Sequence, residues 1–273
     1  MPAQRSPPAP GPKSWDVDLG LSYELDQPTH FLFQIHALHG ADQAVRAESL
    51  ELPPGIASHV YMDPQSQHRF LRLHAPKGLL TLRYRATVDV AARERDMQAA
   101  ELSVERLPDE VMHHLMPTRY CESDLLARAA IKLFGLAPPG LARVQAISDW
   151  IHDNIDYVPG TTDSTTTACD VFQRRAGVCR DFAHLGVTFC RALNIPARLA
   201  VGYVQFDEPP PDFHAVFEAY VGGQWVMFDA TRLAAVEHIV RIASGRDAKD
   251  VAFATIFGPV RMLTMAPLVT PAA

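Results

Sequence analysis

The stretch FHAVFEAYVGGQWVMFDAT, residues 213–231, constrains this chain more than any other. Runs rich in β-formers lie on both sides of Gly222-Gly223, and a glycine pair supplies the positive φ angles that a two-residue hairpin turn needs. With those glycines as the loop, Val221 faces Gln224, Val216 faces Asp229 and His214 faces Thr231. Because side chains alternate, His214, Val216, Glu218 and Tyr220 share a face with Trp225, Met227, Asp229 and Thr231. The opposite face, Ala215, Phe217, Ala219, Val221, Val226, Phe228 and Ala230, is an apolar wall. His214 and Asp229 become diagonal neighbours roughly 7–8 Å apart at the backbone, within reach of each other's side chains. A three-residue loop would shift the register and separate them.

A second stretch, RRAGVCRDFAHL (174–185), places a cysteine at a helix start. From Cys179 onward Phe182, Gly186, Phe189, Cys190 and Leu193 fall on one helical face, and Asn194-Ile195-Pro196 gives a stop, so a helix is expected over about 179–193. The partial positive charge of a helix N-terminus favours a thiolate. A cysteine so placed, a histidine to take its proton and an aspartate to orient the imidazole are the parts of an activated nucleophile. Singly, each has a plainer reading: Cys179 as a small apolar residue, His214 as an ordinary strand histidine, Asp229 as a turn residue. The hairpin register brings two of them to one face; it does not by itself bring Cys179 to them.

The rest of the chain divides by composition. Residues 1–15 are rich in proline and small residues and are expected to form a disordered tail. Between 16 and 107, strand-like runs at 31–38, 47–53, 69–75 and 79–90 are separated by turn signals, which predicts an antiparallel β-sandwich-like domain. A second domain is expected over 108–265, with an amphipathic helix at 141–155, a polar loop at 159–170, a short helix at 170–175 and strands at 198–206, 213–221 and 224–230; 266–273 is expected to be a tail. The fold class is therefore α+β.

Four blocks, GVCRDFAHL, CRALNIPARLAVGY, FHAVFEAYVGGQWVMFDAT and SGRDAKD, occur in the order found in the bacterial transglutaminase-like, papain-like thiol superfamily, and the region 110–265 resembles that family. The resemblance implies a cysteine-bearing helix packed on an antiparallel sheet, with Cys179 as nucleophile, His214 as general base and acid, and Asp229 as the orienting acid. A β-rich N-terminal extension is also a family feature. The chain departs from the usual His-Ala-Trp at Val216 and from Asp-Pro-Thr at Ala230, and the first departure alters the wall of the substrate site. For the oxyanion, the backbone N–H of Cys179 is the first candidate donor, with Gln173 and Tyr157 as alternatives for the second.

The segment QFDEPPPDF (205–213) leads directly to His214, so Asp207, Glu208 and Asp212 are candidates, with Val216, for a substrate lip. His184 is expected on the helix surface or behind the site, and Cys190 in the core; the charges of SGRDAKD are expected to form a structural network near the sheet. A net charge of −6 offers no basic surplus for nucleic acid, and no apolar run reaches the length of a secretory signal or a membrane span, so a cytoplasmic protein without membrane or nucleic-acid partners is expected. No metal or cofactor is expected. These features together predict a cysteine-dependent acyl-transfer enzyme on protein or peptide substrates, with hydrolysis favoured over transamidation. The competing classes are a catalytically inactive scaffold of the same fold and a zinc protein using Cys179, His184, His214 and Asp229.

Overall fold

β1 (Lys13–Leu25) shows how alternation becomes a sheet: Trp15, Val17, Leu19, Leu21, Tyr23 and Leu25 are all buried, while the residues between them are partly or fully exposed. The computed structural model describes residues 13–91, 96, 98–205 and 212–272. After β1 come β2 (Thr29–Phe33), β3 (Gln43–Glu51), β4 (Ser58–Met62), β5 (Arg69–Ala75) and β6 (Gly78–Val90). Helices follow: α1 (Ala127–Phe134) and α2 (Leu141–Asn154), then the two-residue strand β7 (Asp156–Tyr157), α3 (Ala168–Arg174), β8 (Ala176–Gly177) and α4 (Cys179–Ala192). The remaining elements are β9 (Ala197–Tyr203), β10 (His214–Val221), β11 (Gln224–Phe228), β12 (Val240–Gly245), the single turn α5 (Ala248–Val251), β13 (Ala254–Phe257) and β14 (Val260–Pro271).

Two antiparallel sheets, ordered β14-β1-β6-β3 and β13-β2-β5-β4, enclose an apolar layer. Tyr23 of β1 meets Phe31 and Phe33 of β2 across it, with ring centroids 5.4 and 6.0 Å apart. This is the expected β-sandwich, with different limits. β14 pairs with β1 from Trp15↔Pro271 to Leu25↔Val260, and β13 pairs with β2. Residues expected to finish the second domain and form the 266–273 tail instead complete both sheets of the first. At the other end, residues 13–15 of the expected tail already belong to β1; the rest of that tail lies outside the described residues.

The run 31–38 is a strand only to Phe33, because the next residues turn their polar groups toward the second unit. Gln34 N–H donates to Phe253 O (2.9 Å), Leu38 N–H to Arg241 O (3.0 Å), and Tyr203 hydroxyl to Ile35 O (2.5 Å). The Gln43 side chain adds a clamp on Arg241, donating to its carbonyl (2.9 Å) and accepting from its N–H (2.7 Å). These groups are buried or partly buried, and a fully buried one would cost about 1–3 kcal/mol if left unpaired, so they tie the two units together.

The second unit is α4 laid on the sheet β11-β10-β9-β12. The predicted apolar wall, from Ala215 to Ala230, is the surface it covers. Contact is close enough that a Cβ on Gly186 would sit 2.6 Å from the Phe217 ring. On the far side of α4, Phe134, Trp150 and Phe172 surround Phe189 at centroid distances of 5.2–5.8 Å. Buried Arg191 ties the C-terminal end of α4 to its surroundings, donating to the carbonyls of Ala197, Met116 and Arg246. Among the described residues no helix is long and apolar enough to cross a membrane.

Candidate active site

Local structure sets the position of each site residue. α3 starts on Thr167, whose hydroxyl and backbone form a reciprocal cap with Asp170, and ends on Arg175 in the left-handed region (φ 60°). That reversal sends residues 176–177 alongside β7, with Asp156 N–H bonded to Arg175 O (2.8 Å) and Val158 N–H to Gly177 O (3.0 Å). Tyr157 is thereby set beside Gly177, two residues before Cys179. α4 then begins at Cys179 itself, in agreement with the expected start.

The first turn of α4 is held by Asp181, a buried carboxylate that accepts from Val178 N–H (2.9 Å), Thr162 hydroxyl (2.6 Å) and the Arg180 guanidinium (2.8 and 3.1 Å). Arg180 also donates to Asp163 O (2.7 Å), so the polar loop after β7 is moored to the helix that carries the cysteine. The carboxylate three residues past the N-cap was a readable capping signal. Thr162 had none.

The hairpin has the derived register. Gly222 and Gly223 take φ of 61° and 79°, and the pairs run from Val221↔Gln224 to Phe217↔Phe228. His214 Nε2 and Asp229 Oδ2 lie 2.9 Å apart, and both side chains are buried. The Cys179 thiol lies close enough to the same imidazole to act on its charge. Cys179 Sγ lies 3.8 Å from Phe213 O. The three predicted triad residues are therefore assembled at one point.

Asp229 is itself oriented. Oδ1 accepts from Thr231 N–H (2.9 Å) and hydroxyl (2.6 Å), and Oδ2 accepts from Ala234 N–H (3.0 Å) as well as facing His214. Burial alone would raise this carboxyl; the His214, Thr231 and Ala234 hydrogen bonds outweigh it and hold it below the usual carboxylate range. For His214, burial alone would lower the pKa, but bonding to Asp229 and then to Cys179 drives it up to about 10. The site thus favours an imidazolium between two partners.

The Tyr157 hydroxyl lies near Cys179, close enough for that residue to act on it electrostatically. Burial, then the proximity of Cys179, raises its pKa, so it stays protonated. Gln173 is exposed on α3, with no hydrogen bond to Cys179 among the described residues. Asp212 sits within electrostatic reach of His214 and Tyr157; burial raises its carboxyl, and the Phe213 N–H and His214 oppose this. Asp207 and Glu208 lie outside the described residues.

Two expectations need correction. Val216 is no rim residue: it is 1% exposed and packs with Ala200, Val204, Met227, Val236 and Ile239, a small cluster on the sheet face opposite α4. His184 is not on the helix surface but buried against Tyr120 (centroids 5.4 Å, planes 8° apart), its Nε2 accepting from Ala248 N–H (3.1 Å). Burial pushes its pKa down to about 3, so it is a neutral packing residue. Cys190 is in the core as expected.

Comparison with known proteins extends this picture. The family model for the transglutaminase-like superfamily matches residues 128–230, and that for the bacterial transglutaminase N-terminal domain matches residues 14–110. A crystal structure from Cytophaga hutchinsonii, described as a "putative cysteine protease", is 40% identical, with a TM-score of 0.92 over 97% of this chain and 92% of that one. An uncharacterised protein of Mycobacterium leprae is 28% identical over 224 residues, covering 77% of this chain and 79% of its own. From the two matched domains and the fold shared along nearly its whole length, the chain belongs to the transglutaminase-like superfamily.

Proposed function

We propose that the chain is a cysteine-dependent acyl-transfer enzyme that cleaves peptide or carboxamide bonds. The observation that carries this reading is the His214 imidazole, buried between the Cys179 thiol and the Asp229 carboxylate at 2.9 Å. With the proton already lodged on His214 as an imidazolium, the Cys179 sulfur attacks the carbonyl carbon as a thiolate, forming a C–S bond and a tetrahedral oxyanion. The backbone N–H of Cys179 and the protonated Tyr157 hydroxyl are the donors we assign to that oxyanion. Collapse breaks the C–N bond as His214 protonates the leaving amine. Water then attacks the thioester, returns its proton through His214 and releases a carboxylic acid with the thiol restored.

Hydrolysis is favoured over transfer to an amine by the description given to the C. hutchinsonii relative. The first test is iodoacetamide alkylation near neutral pH, read at each cysteine by mass spectrometry. Burial pushes the Cys121 thiol up to about 12, and burial with Glu122 pushes Cys169 up to about 11; Cys190 is buried and raised too. Cys179 is expected to react first, and His214→Ala to slow it. If Cys179 reacts no faster than Cys169, the proposal fails. Ammonia release against incorporation of a fluorescent amine then separates hydrolysis from transfer.

A further inference from the structure

We propose, on the catalytic reading of Cys179 and His214, that Phe213 is a positioning residue for that pair and that the N-terminal sandwich sets its place through the rings of Tyr203 and Phe253. Phe213 immediately precedes His214, and its carbonyl oxygen lies 3.8 Å from Cys179 Sγ. The peptide between residues 213 and 214 therefore abuts the sulfur with its oxygen and carries the imidazole on its nitrogen side. A shift of Phe213 moves the pair apart.

The ladder does not hold Phe213. β10 and its pairing with β9 begin at His214, opposite Gly202, and the Phe213 N–H donates to Asp212 Oδ1 (2.6 Å), a bond to its own neighbour. What fixes Phe213 is its ring, which stacks on Phe253 (centroids 4.7 Å, planes 15° apart) and leans on Tyr203 (5.4 Å, 37°). Both of those rings are tied to the N-terminal unit by consecutive residues. The Phe253 carbonyl accepts from Gln34 N–H (2.9 Å), and the Tyr203 hydroxyl donates to Ile35 O (2.5 Å). Gln34 is anchored in turn by its side-chain amide, which donates to Asp250 O (3.2 Å), and the Tyr203 ring stacks on Tyr84 of β6 (6.5 Å, 23°). Tyr203 and Ile35 are fully buried, so water offers their bond no substitute.

From Ile35 to the sulfur the route is a hydroxyl on a carbonyl, a ring on a ring, and a carbonyl beside the thiol. A contiguous packed chain of this kind lets a unit remote from the chemistry act on it. The attraction between thiolate and imidazolium falls as they separate, and a displacement of about 1 Å at a reacting group costs on the order of a hundredfold in rate. A looser Phe213 therefore makes Cys179 slower near neutral pH.

The test is the pH profile of iodoacetamide alkylation at Cys179 in the full chain, read by mass spectrometry below each variant's melting temperature. Phe253→Leu keeps an apolar side chain but removes the stacked ring. Its profile should move to higher pH, and its rate near pH 7 should fall about tenfold, the effect of a displacement by about one pH unit. Phe253→Tyr, which keeps the ring, should restore the wild-type profile. Tyr203→Phe, which removes only the hydroxyl held by Ile35, should shift the profile in the same direction, and it decides the matter should Phe253→Leu not fold. A merely structural effect behaves differently: general loosening would speed alkylation of buried Cys121 and Cys190 and leave the Cys179 profile in place. An unmoved profile in Phe253→Leu, or equal slowing in Phe253→Leu and Phe253→Tyr, overturns the proposal while a fast wild-type Cys179 keeps the catalytic reading. A wild-type Cys179 no faster than Cys169 defeats the catalytic reading, and the positioning role with it.

Discussion

At the scale of single residues the site turns on His214. Its pKa is raised to about 10 against an ordinary 6.5, despite burial, because Asp229 and Cys179 each favour the charged ring. A raised histidine contributes stability that is complete below its unfolded pKa and is lost as pH climbs through the folded value. The window therefore runs from about 6.5 to about 10. Asp229→Asn removes one of the two supports, and two effects are expected. Turnover should fall by about two or more orders of magnitude, since the ring loses both its orientation and the charge that stabilises the imidazolium. In urea melts, the stability advantage of the wild type over Asp229→Asn should be larger near pH 6 than near pH 9.5; an advantage that grows with pH would contradict an imidazolium at this position.

At the scale of elements, the catalytic geometry depends on how closely α4 lies on β10. Gly186→Ala puts a methyl group 2.6–2.9 Å from three Phe217 ring atoms, and the helix must lift or the ring must turn. Overpacking of this kind costs about 1–3 kcal/mol, so the urea midpoint should drop with an unchanged slope. A midpoint equal to that of the wild type would mean that the helix has slack there. The elements legible in the sequence are so for physical reasons: the α4 start, the 141–154 helix and the hairpin register all follow from local periodicity, capping and a glycine turn. Tyr157 reaches Cys179 through a two-residue strand pair, too short to carry a periodic signal, which is why it stood level with Gln173 as an oxyanion candidate. The burial of Val216 and His184 depends on segments 236–239 and 120, which only the tertiary fold brings over them.

At the scale of the whole molecule, the pairing of β14 with β1 joins segments more than 230 residues apart, and no local pattern announces it. Deleting 254–273 should therefore damage the N-terminal sandwich, exposing inner residues of β1 and β2 and giving an aggregating or dye-binding protein; a soluble, cooperatively melting product would contradict the two-sheet pairing. Protonation acts on the molecule as a whole too. Burial, the leading cause in each case, lowers His36 to about 4 and His114 and His184 to about 3. The folded protein keeps these rings neutral where the unfolded chain protonates them, so stability must fall as pH drops below about 6.5. His214 is charged in both states there and contributes no slope. Near pH 5 unfolding should take up close to three protons from these rings alone, a loss of about 4 kcal/mol per pH unit before the carboxylates join in. Urea melts at closely spaced pH values between about 6.5 and 4.5 measure that slope directly. A slope below one proton would mean that the rings already carry charge in the fold, and that polar contacts rather than exclusion of water hold them.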